Sequence, residues 1–252
     1  MEYQIIKNKI LHIKNAIPEI NNVFDFFDKT SNDLITKWLP WLEFGGYTQK
    51  RFFKDYGHSK SIYVSYINEY VNKPDYTETI EVIQKTIDSI DKSWVLYRDI
   101  FKLTNPGHIS KDFAILKYHN YKTNPSSSEL GLHIDHPDPN NTNEHTMLIY
   151  YNDNYIGGEV IFPRIGVTVS PNAGDILIFS SVDPELIHNT NAVTEGNKIF
   201  TLQLWQDGAT KGYYQKENST KSHASHLIEG NNNIIVCPNC NFWGRHDEFK
   251  MV

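Results

Sequence analysis

The apolar residues follow two different patterns, and the change falls near residue 110. Before it, apolar positions recur at helical spacing in the stretches 18–29, 32–42 and 76–101. The third stretch is the most regular, with Thr77 as an expected N-cap and one apolar stripe: Ile80, Ile83, Ile87, Ile90 and Trp94. The pattern therefore predicts a mostly helical N-terminal region, residues 1–110, that packs on a core formed by the residues after it.

From residue 113, short apolar runs alternate with clusters of Gly, Pro, Asn and Asp, which is typical of short β-strands joined by turns. Strands are predicted at 113–119, 130–135, 145–151, 158–162, 166–170, 175–180, 185–188 and 197–205. Eight short strands fit a double-stranded β-helix, the jelly-roll or cupin-like fold. The expected fold class is mainly β with flanking helices: a jelly-roll core over 111–208, the N-terminal helical region, and a polar tail over 209–252.

Composition excludes some classes of protein. The formal net charge of -6 argues against a nucleic-acid binder, which needs a cationic surface. There is no run of 18 apolar residues, so no membrane span is expected, and the first residues lack a secretory signal. With only two cysteines, a disulfide framework is excluded and a reducing, cytoplasmic location is expected. The sequence does not determine the oligomeric state.

A metal site is suggested by His133-Ile134-Asp135 on a predicted strand. Side chains two residues apart on a strand point to the same side, so the imidazole and the carboxylate face one cavity. His188, on another predicted strand, would complete a set of two His and one carboxylate. This set occupies one face of an octahedron and is typical of non-haem iron(II) oxygenases.

Lys198 follows His188 by ten residues, on the next predicted strand. An oxoacid that chelates iron through its keto end leaves its other carboxylate some distance away. One buried cation would pair with that carboxylate. An ordinary surface lysine is the alternative interpretation of this residue taken alone.

Residues 113–207 together resemble the prolyl 4-hydroxylase branch of the 2-oxoglutarate/iron(II) oxygenase superfamily. The motifs that carry the resemblance agree in order and spacing: Tyr118, His133-Ile134-Asp135, Leu148-Ile149-Tyr150-Tyr151-Asn152, Gly157-Gly158-Glu159, Phe162-Pro163, Pro171-Asn172-Ala173-Gly174-Asp175, His188, Lys198 and Leu204-Trp205. The resemblance implies iron(II), 2-oxoglutarate and dioxygen as cofactor and cosubstrates, and ascorbate is a further candidate cofactor.

The resemblance also implies roles for single residues. His133, Asp135 and His188 would bind iron and be catalytic, and Lys198 would bind the distal carboxylate of 2-oxoglutarate. Tyr118 and Tyr150 match aromatic positions near that cosubstrate, where each hydroxyl adds a hydrogen bond or the ring only packs in the core.

The chain departs from the family pattern near the substrate side. Leu130 stands where a Tyr is frequent, and a longer insert, 119–129, replaces a short turn. Arg164, after Phe162-Pro163, is a candidate substrate contact, with a solvated loop arginine as the alternative. His119, His136 and His145 are expected on the surface or around the proposed ligands rather than among them.

The tail contains a second candidate metal site. His223 and His226 precede Cys237 and Cys240, and two close ligand pairs suit a small tetrahedral zinc site. A reduced free cysteine pair, a site completed by a second chain, and His246 in place of one of the earlier histidines are the alternatives.

The function expected from the resemblance is hydroxylation of an unactivated C–H bond, most directly of a prolyl residue in a protein or peptide. A free amino acid or other small molecule is the second substrate class. A non-catalytic jelly-roll binding protein is the alternative outside enzymes.

Overall fold

The computed structural model describes residues 1–40, 58–103, 108–109, 112–119, 130–133, 135, 145–206, 234–236 and 243–245. For residues 40, 108–109, 130–133, 203–206, 234–236 and 243–245 it describes the backbone alone. The account below concerns these parts of the chain.

Two antiparallel sheets form the centre of the protein. The larger sheet, in the described part of the chain, has nine strands in the order β1-β2-β12-β8-β15-β6-β4-β3, with β5 also paired to β15. Its strands are β1 (Glu2–Ile6), β2 (Ile10–Lys14), β3 (Leu39–Pro40), β4 (His58–Ile62), β5 (His108–Ile109), β6 (Phe113–Tyr118), β8 (His145–Tyr150), β12 (Ile176–Ser180) and β15 (Lys198–Gln206).

The smaller sheet has four strands in the order β11-β10-β13-β7. They are β7 (Leu130–His133), β10 (Val160–Phe162), β11 (Val167–Val169) and β13 (His188–Thr190). Two short pairs complete the strand list: β9 (Ile156–Gly157) with β14 (Val193–Glu195), and β16 (Ile234–Val236) with β17 (Trp243–Arg245).

Each face of the larger sheet covers its own apolar core. One core lies between the sheets, since it joins larger-sheet residues such as Tyr118, Tyr150 and Phe179 with Val160 and Phe162 of the smaller sheet. The other joins the opposite face to the helices. Alternation along the strands assigns neighbouring residues to different cores. This arrangement is jelly-roll-like, and the predicted mainly β fold class is confirmed.

The described residues of the N-terminal part form three helices: α1 (Ile20–Lys29), α2 (Ile67–Tyr70) and α3 (Thr77–Phe101). The apolar stripe of α3 faces the sheet as expected, because Ile83, Ile87, Ile90 and Trp94 are buried in the second core. Thr77 is not the N-cap. It is the first helical residue, and Tyr76 at the end of a 3-10 turn (Pro74–Tyr76) precedes it without a side-chain cap.

The helix predicted over 32–42 is absent from the described residues 32–40. The Asn32 side-chain oxygen instead accepts hydrogen bonds from the backbone N–H groups of Leu34 and Ile35. This local turn competes with helix formation. Ile35 then forms a bridge to Ile62 of β4, so the segment joins the sheet edge.

The first 40 residues also supply strands that the helical interpretation did not include. β1 and β2 form a hairpin, and β2 pairs with β12 so that Ile13 lies opposite Ile176. Asp175 fixes this contact, because its carboxylate accepts hydrogen bonds from buried His12 (2.7 Å) and from the backbone N–H of Asn15 (3.0 Å). The division of the chain into three regions remains a prediction.

Most strands of the core lie within a few residues of their predicted positions. The main difference concerns 185–188. Pro184–Leu186 is a 3-10 turn, capped by the Asp183 carboxylate, which accepts from the Glu185 N–H at 2.9 Å. His188 therefore begins β13 instead of ending a strand. None of the helices among the described residues is long and apolar enough to cross a membrane.

Candidate active site

The backbone aligns two of the three predicted metal ligands. β7 and β13 are antiparallel neighbours in the smaller sheet, and His133 lies directly opposite His188 in their register. Residues directly opposite each other have Cα atoms about 4.5–5.5 Å apart. Asp135 follows β7 by two residues, so the strand pair gathers all three positions at one end.

The side chains of Asp135 and His188 are close and largely buried. The Asp135 Oδ2 and His188 Nε2 atoms are 3.7 Å apart, with 8% and 6% of the two side chains exposed. The rings of Phe162 and Phe179 lie beside the imidazole, with centroids 5.4 and 5.0 Å from it. A carboxylate and an imidazole at this separation in apolar surroundings suit a shared cation. The His133 side chain lies outside the described part.

A local hydrogen bond fixes the tautomer of His188. Its Nδ1 lies 3.0 Å from the Leu186 carbonyl oxygen, which only accepts, so Nδ1 carries the proton. Nε2, which faces Asp135, is then the nitrogen with the lone pair. A backbone carbonyl on the far ring nitrogen is how proteins orient metal-binding histidines.

Residues 183–185, which precede His188, are in contact with Lys9 and with Arg164. Lys9 forms ion pairs with Asp183 (2.5 Å) and Glu185 (2.8 Å). The Arg164 guanidinium donates to the Pro184 carbonyl at 2.7 Å. Arg164 is thus in contact with the turn that leads to His188, and its role toward a substrate remains a prediction.

Asp135 is also held by a residue that sequence reasoning missed. The Thr146 hydroxyl donates to Asp135 Oδ2 at 2.5 Å and lies 2.9 Å from the Ser181 hydroxyl. Thr146 and Ser181 are buried. The sequence signal for Thr146 was a hydroxyl residue inside an otherwise apolar predicted strand.

Lys198 lies inside the protein. Its side chain is among the largest that are fully buried, and Nζ donates to the Gly158 carbonyl oxygen at 2.7 Å. Burial lowers the pKa of Lys198 to about 7, and the Glu159 carboxylate opposes this only in part. A buried ammonium whose hydrogen-bond acceptor is a neutral carbonyl suits an anionic ligand, because the pair would be strong in this environment.

Two buried tyrosine hydroxyls accompany Lys198. The hydroxyls of Tyr150 and Tyr155 have no hydrogen-bond partner among the described residues. Lys198 Nζ lies 5.3 Å from the centre of the Tyr150 ring, and Tyr118 packs edge-on against Phe200. Burial raises the pKa of Tyr150 and Tyr155, so both remain proton donors. Unsatisfied donors near a cation fit a carboxylate such as the distal one of 2-oxoglutarate.

Tyr155 was missed by sequence reasoning. Tyr155 and Lys198 both pack against Gly158. A Cβ built on Gly158 would lie 3.1 Å from Lys198 Cδ and 3.1 Å from Tyr155 Cε2, so the two side chains are close to each other. The signal was its position two residues before the Gly157-Gly158 motif.

Of the other candidate histidines, His145 and His119 are described, and each contacts residues other than the proposed ligands. His145 is buried, not on the surface, and its Nδ1 lies 3.1 Å from the Tyr97 hydroxyl of α3. It points to the helical face of β8, opposite to Thr146. His119 contacts His58 at 2.8 Å between ring nitrogens. His136, His246 and the proposed zinc ligands His223, His226, Cys237 and Cys240 lie outside the described residues.

The jelly-roll-like sheets, the buried carboxylate–imidazole pair and the buried lysine together suit the binding of a metal ion and an oxoacid. Residues 116–207 match the family model of the 2OG-Fe(II) oxygenase superfamily. The matched segment contains His133, Asp135, His188 and Lys198.

The fold is supported by one of the solved structures that the chain is similar to, at a TM-score of 0.50. A Pseudomonas putida prolyl-4-hydroxylase is 13% identical with a TM-score of 0.50, over 79% of this chain and 92% of that chain. The viral collagen prolyl hydroxylase of Paramecium Bursaria Chlorella virus-1 is 16% identical with a TM-score of 0.49, over 79% and 96%. The epimerase SnoN from nogalamycin biosynthesis is 11% identical with a TM-score of 0.49, over 79% and 78%. A search of curated protein sequences finds no match.

Proposed function

We propose that this protein is an iron(II)- and 2-oxoglutarate-dependent dioxygenase of the 2OG-Fe(II) oxygenase superfamily. We further propose that it hydroxylates a prolyl residue in a protein or peptide, with His133, Asp135 and His188 as the iron(II) ligands. The observation that carries the metal assignment is the juxtaposition of Asp135 and His188, 3.7 Å apart, with His133 opposite His188 in the strand register. Two imidazoles and one carboxylate leave three coordination positions open for substrate-derived ligands.

We assign Lys198 and Tyr150 to the distal carboxylate of 2-oxoglutarate. Lys198 supplies the charge and Tyr150 a hydroxyl that otherwise lies buried without a described partner. Tyr118 lies opposite Lys198 in the pairing of β6 and β15, at the same end of the sheet. When bound, iron(II) and 2-oxoglutarate supply oxidising power from dioxygen, and succinate and carbon dioxide are the coproducts.

The protein's own residues bind and orient the reactants. The His188 tautomer keeps Nε2 directed toward Asp135, and the apolar walls Phe162 and Phe179 limit water around the imidazole. Lys198 and Tyr150 fix one end of the oxoacid, which sets the position of its other end. Such orientation is the main contribution of the protein in cofactor chemistry.

The prolyl substrate rests on the motif resemblance to prolyl 4-hydroxylases and on a fold shared with a prolyl-4-hydroxylase. Free amino acids and other small molecules are the second substrate class. The departures at Leu130 and in the insert 119–129 concern the substrate side, so the experiment must sample both classes.

A peptide-array screen with iron(II), ascorbate and 2-oxoglutarate tests the proposal. Mass spectrometry should find one added oxygen atom on proline-containing peptides, together with succinate. Oxidation of free amino acids alone would replace the prolyl assignment with the small-molecule one. No succinate with any substrate, together with no iron binding, would leave a non-catalytic binding protein.

Point variants test the ligands. His133→Ala and Asp135→Ala should abolish succinate formation and iron binding, since each removes one of three ligands. His119→Ala is the matched control, because it removes a half-buried histidine that contacts His58 instead of the site. Turnover by His133→Ala at the wild-type rate would contradict the assignment.

A further inference from the structure

Asp135 closely follows a strand of the smaller sheet, but Thr146, which donates a hydrogen bond to it, belongs to the larger sheet. Asp135 lies two residues past the end of β7, outside the strand ladder. Thr146 is in β8, and Ser181 directly follows β12. β8 and β12 are paired, with Phe179 opposite Thr146 and Ser180 opposite His145. Thr146 therefore lies on β8, and Ser181 lies directly past the end of the neighbouring strand β12.

The direction of the hydrogen bonds follows from the groups involved. An ionised carboxylate only accepts, so the single Thr146 proton goes to Asp135 Oδ2. The contact of 2.9 Å between the Thr146 and Ser181 hydroxyl oxygens must then use the proton of Ser181. The order is Ser181 to Thr146 to Asp135.

We propose that Thr146 and Ser181 are positioning residues that fix the Asp135 carboxylate for metal binding. The inference rests on the proposed function of Asp135 as an iron ligand. A carboxylate held at one oxygen does not rotate to offer both oxygens to the metal. Binding through one oxygen keeps the remaining coordination positions open for the oxoacid and dioxygen.

The rest of β8 supports this role. Thr146 is fully buried, and the residue before it, His145, is anchored on the opposite face by Tyr97. The backbone position of Thr146 is thus fixed from both faces of the larger sheet. Hydrogen-bond partners of metal ligands typically change metal affinity 10–100-fold when removed.

Variants that differ by single atoms test the proposal. Thr146→Val keeps the shape and removes the hydroxyl, Thr146→Ser keeps the hydroxyl, and Ser181→Ala removes the second hydroxyl. Thr201→Val is the matched control, because Thr201 is also fully buried but its hydroxyl bonds to Ala114 and Tyr151.

Calorimetric titration with Mn(II) or Co(II), without 2-oxoglutarate, measures the metal affinity. Thr146→Val should bind about 10–100-fold more weakly, Ser181→Ala should show a smaller loss, and Thr146→Ser should recover most of the affinity. The visible spectrum of bound Co(II) should change in Thr146→Val, because the carboxylate geometry changes. Thr201→Val should match the wild type in affinity and spectrum.

Wild-type affinity and spectrum in both Thr146→Val and Ser181→Ala would overturn the positioning role. If Asp135→Ala still weakens binding in that case, the proposed ligand set stands and only the hydroxyl pair fails. If Asp135→Ala binds metal as the wild type does, both proposals fail. Should Thr146→Val not fold, the comparison of Ser181→Ala with Thr201→Val decides.

Discussion

Lys198 is a charged residue in an environment very different from water. It is 1% exposed, and its pKa is lowered by burial to about 7. A second buried lysine, Lys60, donates to the carbonyls of Phe27 and Asp28 at the end of α1. A lysine at a helix C-terminus satisfies carbonyls that lack partners and has a structural explanation. Among the described residues, Lys198 Nζ donates to the Gly158 carbonyl of a turn and not to a helix end, which supports a ligand-binding role.

The lowered pKa predicts a pH dependence of 2-oxoglutarate binding. Only protonated Lys198 pairs with the distal carboxylate, and that carboxylate raises the Lys198 pKa in the complex. Between about pH 7 and the higher pKa of the complex, binding takes up one proton. The affinity should therefore fall by up to about tenfold per pH unit above pH 7.

Calorimetry at pH 8 in buffers of different ionisation enthalpy measures this proton uptake. Lys198→Arg should show little uptake, because a guanidinium stays charged. Lys198→Met should lose most of the affinity, while Lys60→Met should lose stability instead. Binding by the wild type without proton uptake at pH 8 would mean that Lys198 is already protonated in the free protein, and unchanged affinity of Lys198→Met would exclude the charge pairing.

The neighbouring residues Tyr150 and Tyr151 differ in the hydrogen bonding of their hydroxyls. The Tyr150 hydroxyl is unsatisfied, whereas the Tyr151 hydroxyl contacts that of Thr201 at 3.1 Å. Tyr150→Phe should stabilise the ligand-free protein by about 1 kcal/mol, because a buried orphan polar group is removed, and should weaken 2-oxoglutarate binding by roughly tenfold or more.

Tyr151→Phe should do the opposite: a loss of about 1 kcal/mol in the free energy of unfolding, with unchanged 2-oxoglutarate affinity. Urea unfolding and calorimetry of the two variants provide both quantities. A destabilised Tyr150→Phe with normal affinity would identify Tyr150 as a core residue only.

At the scale of elements, Asp175 joins the N-terminal hairpin to the core. Burial raises its pKa, but hydrogen bonds from His12 and from the backbone N–H groups of Asn15 and Asn172 outweigh burial and lower the pKa to about 2. Since the unfolded value is 3.8, the ionised form stabilises the fold above that pH. Asp175, the second residue of the Gly174-Asp175 motif, therefore has a structural role.

This predicts acid sensitivity of the hairpin contact. About 2 kcal/mol of stability should be present above pH 4 and be lost as the pH falls toward 2. Denaturant unfolding between pH 5 and pH 2.5 should show this loss in the wild type but not in Asp175→Asn. Asp153→Asn, which alters a more exposed carboxylate, is the control and should retain the wild-type slope.

The elements differ in how well the sequence predicted them. Strands of the core were predicted because their apolar runs are bounded by turn residues. An example is Ile176–Ser180, which follows the turn at Gly174. β1 was missed because it lies at the sheet edge and Glu2 to Ile5 are exposed. The helix over 32–42 was wrong because the Asn32 side chain forms a local turn that hydrophobic spacing does not reveal.

The residues of the proposed site also differ in whether the sequence predicts them. His133, Asp135, His188 and Lys198 stand in motifs, so a single sequence was enough to select them. Thr146 and Ser181 carry no motif, and they approach Asp135 only through the pairing of β8 with β12. Contacts of this kind depend on strand order, which the sequence pattern did not give.

At the scale of the whole molecule, the proposed ligands come from both sheets. His188 lies in the smaller sheet and Lys198 in the larger one. A metal ion with bound 2-oxoglutarate would therefore connect the two sheets across the core between them. Any ligand that binds only the folded state adds to the free energy of unfolding by mass action.

Mn(II) at a hundred times its dissociation constant should stabilise the protein by about 2.7 kcal/mol, and 2-oxoglutarate at a hundred times its dissociation constant for the metal-bound protein should add about the same amount again. Denaturant unfolding with Mn(II) alone, 2-oxoglutarate alone and both measures this. Asp135→Ala should show no gain from Mn(II). Equal stabilisation of Asp135→Ala and wild type would mean that the metal binds elsewhere.

The Gly157-Gly158 turn has a consequence for how the sequence can diverge. A side chain at Gly157 would collide with the Ala192 carbonyl oxygen, 2.0 Å from an added Cβ, and one at Gly158 would press on the stem of Lys198. Both residues also have positive φ angles. Substitutions at this turn therefore cannot produce a new substrate preference. Such substitutions must occur at other positions, so the part of the site that binds the oxoacid would stay unchanged while the part that binds the substrate diversifies.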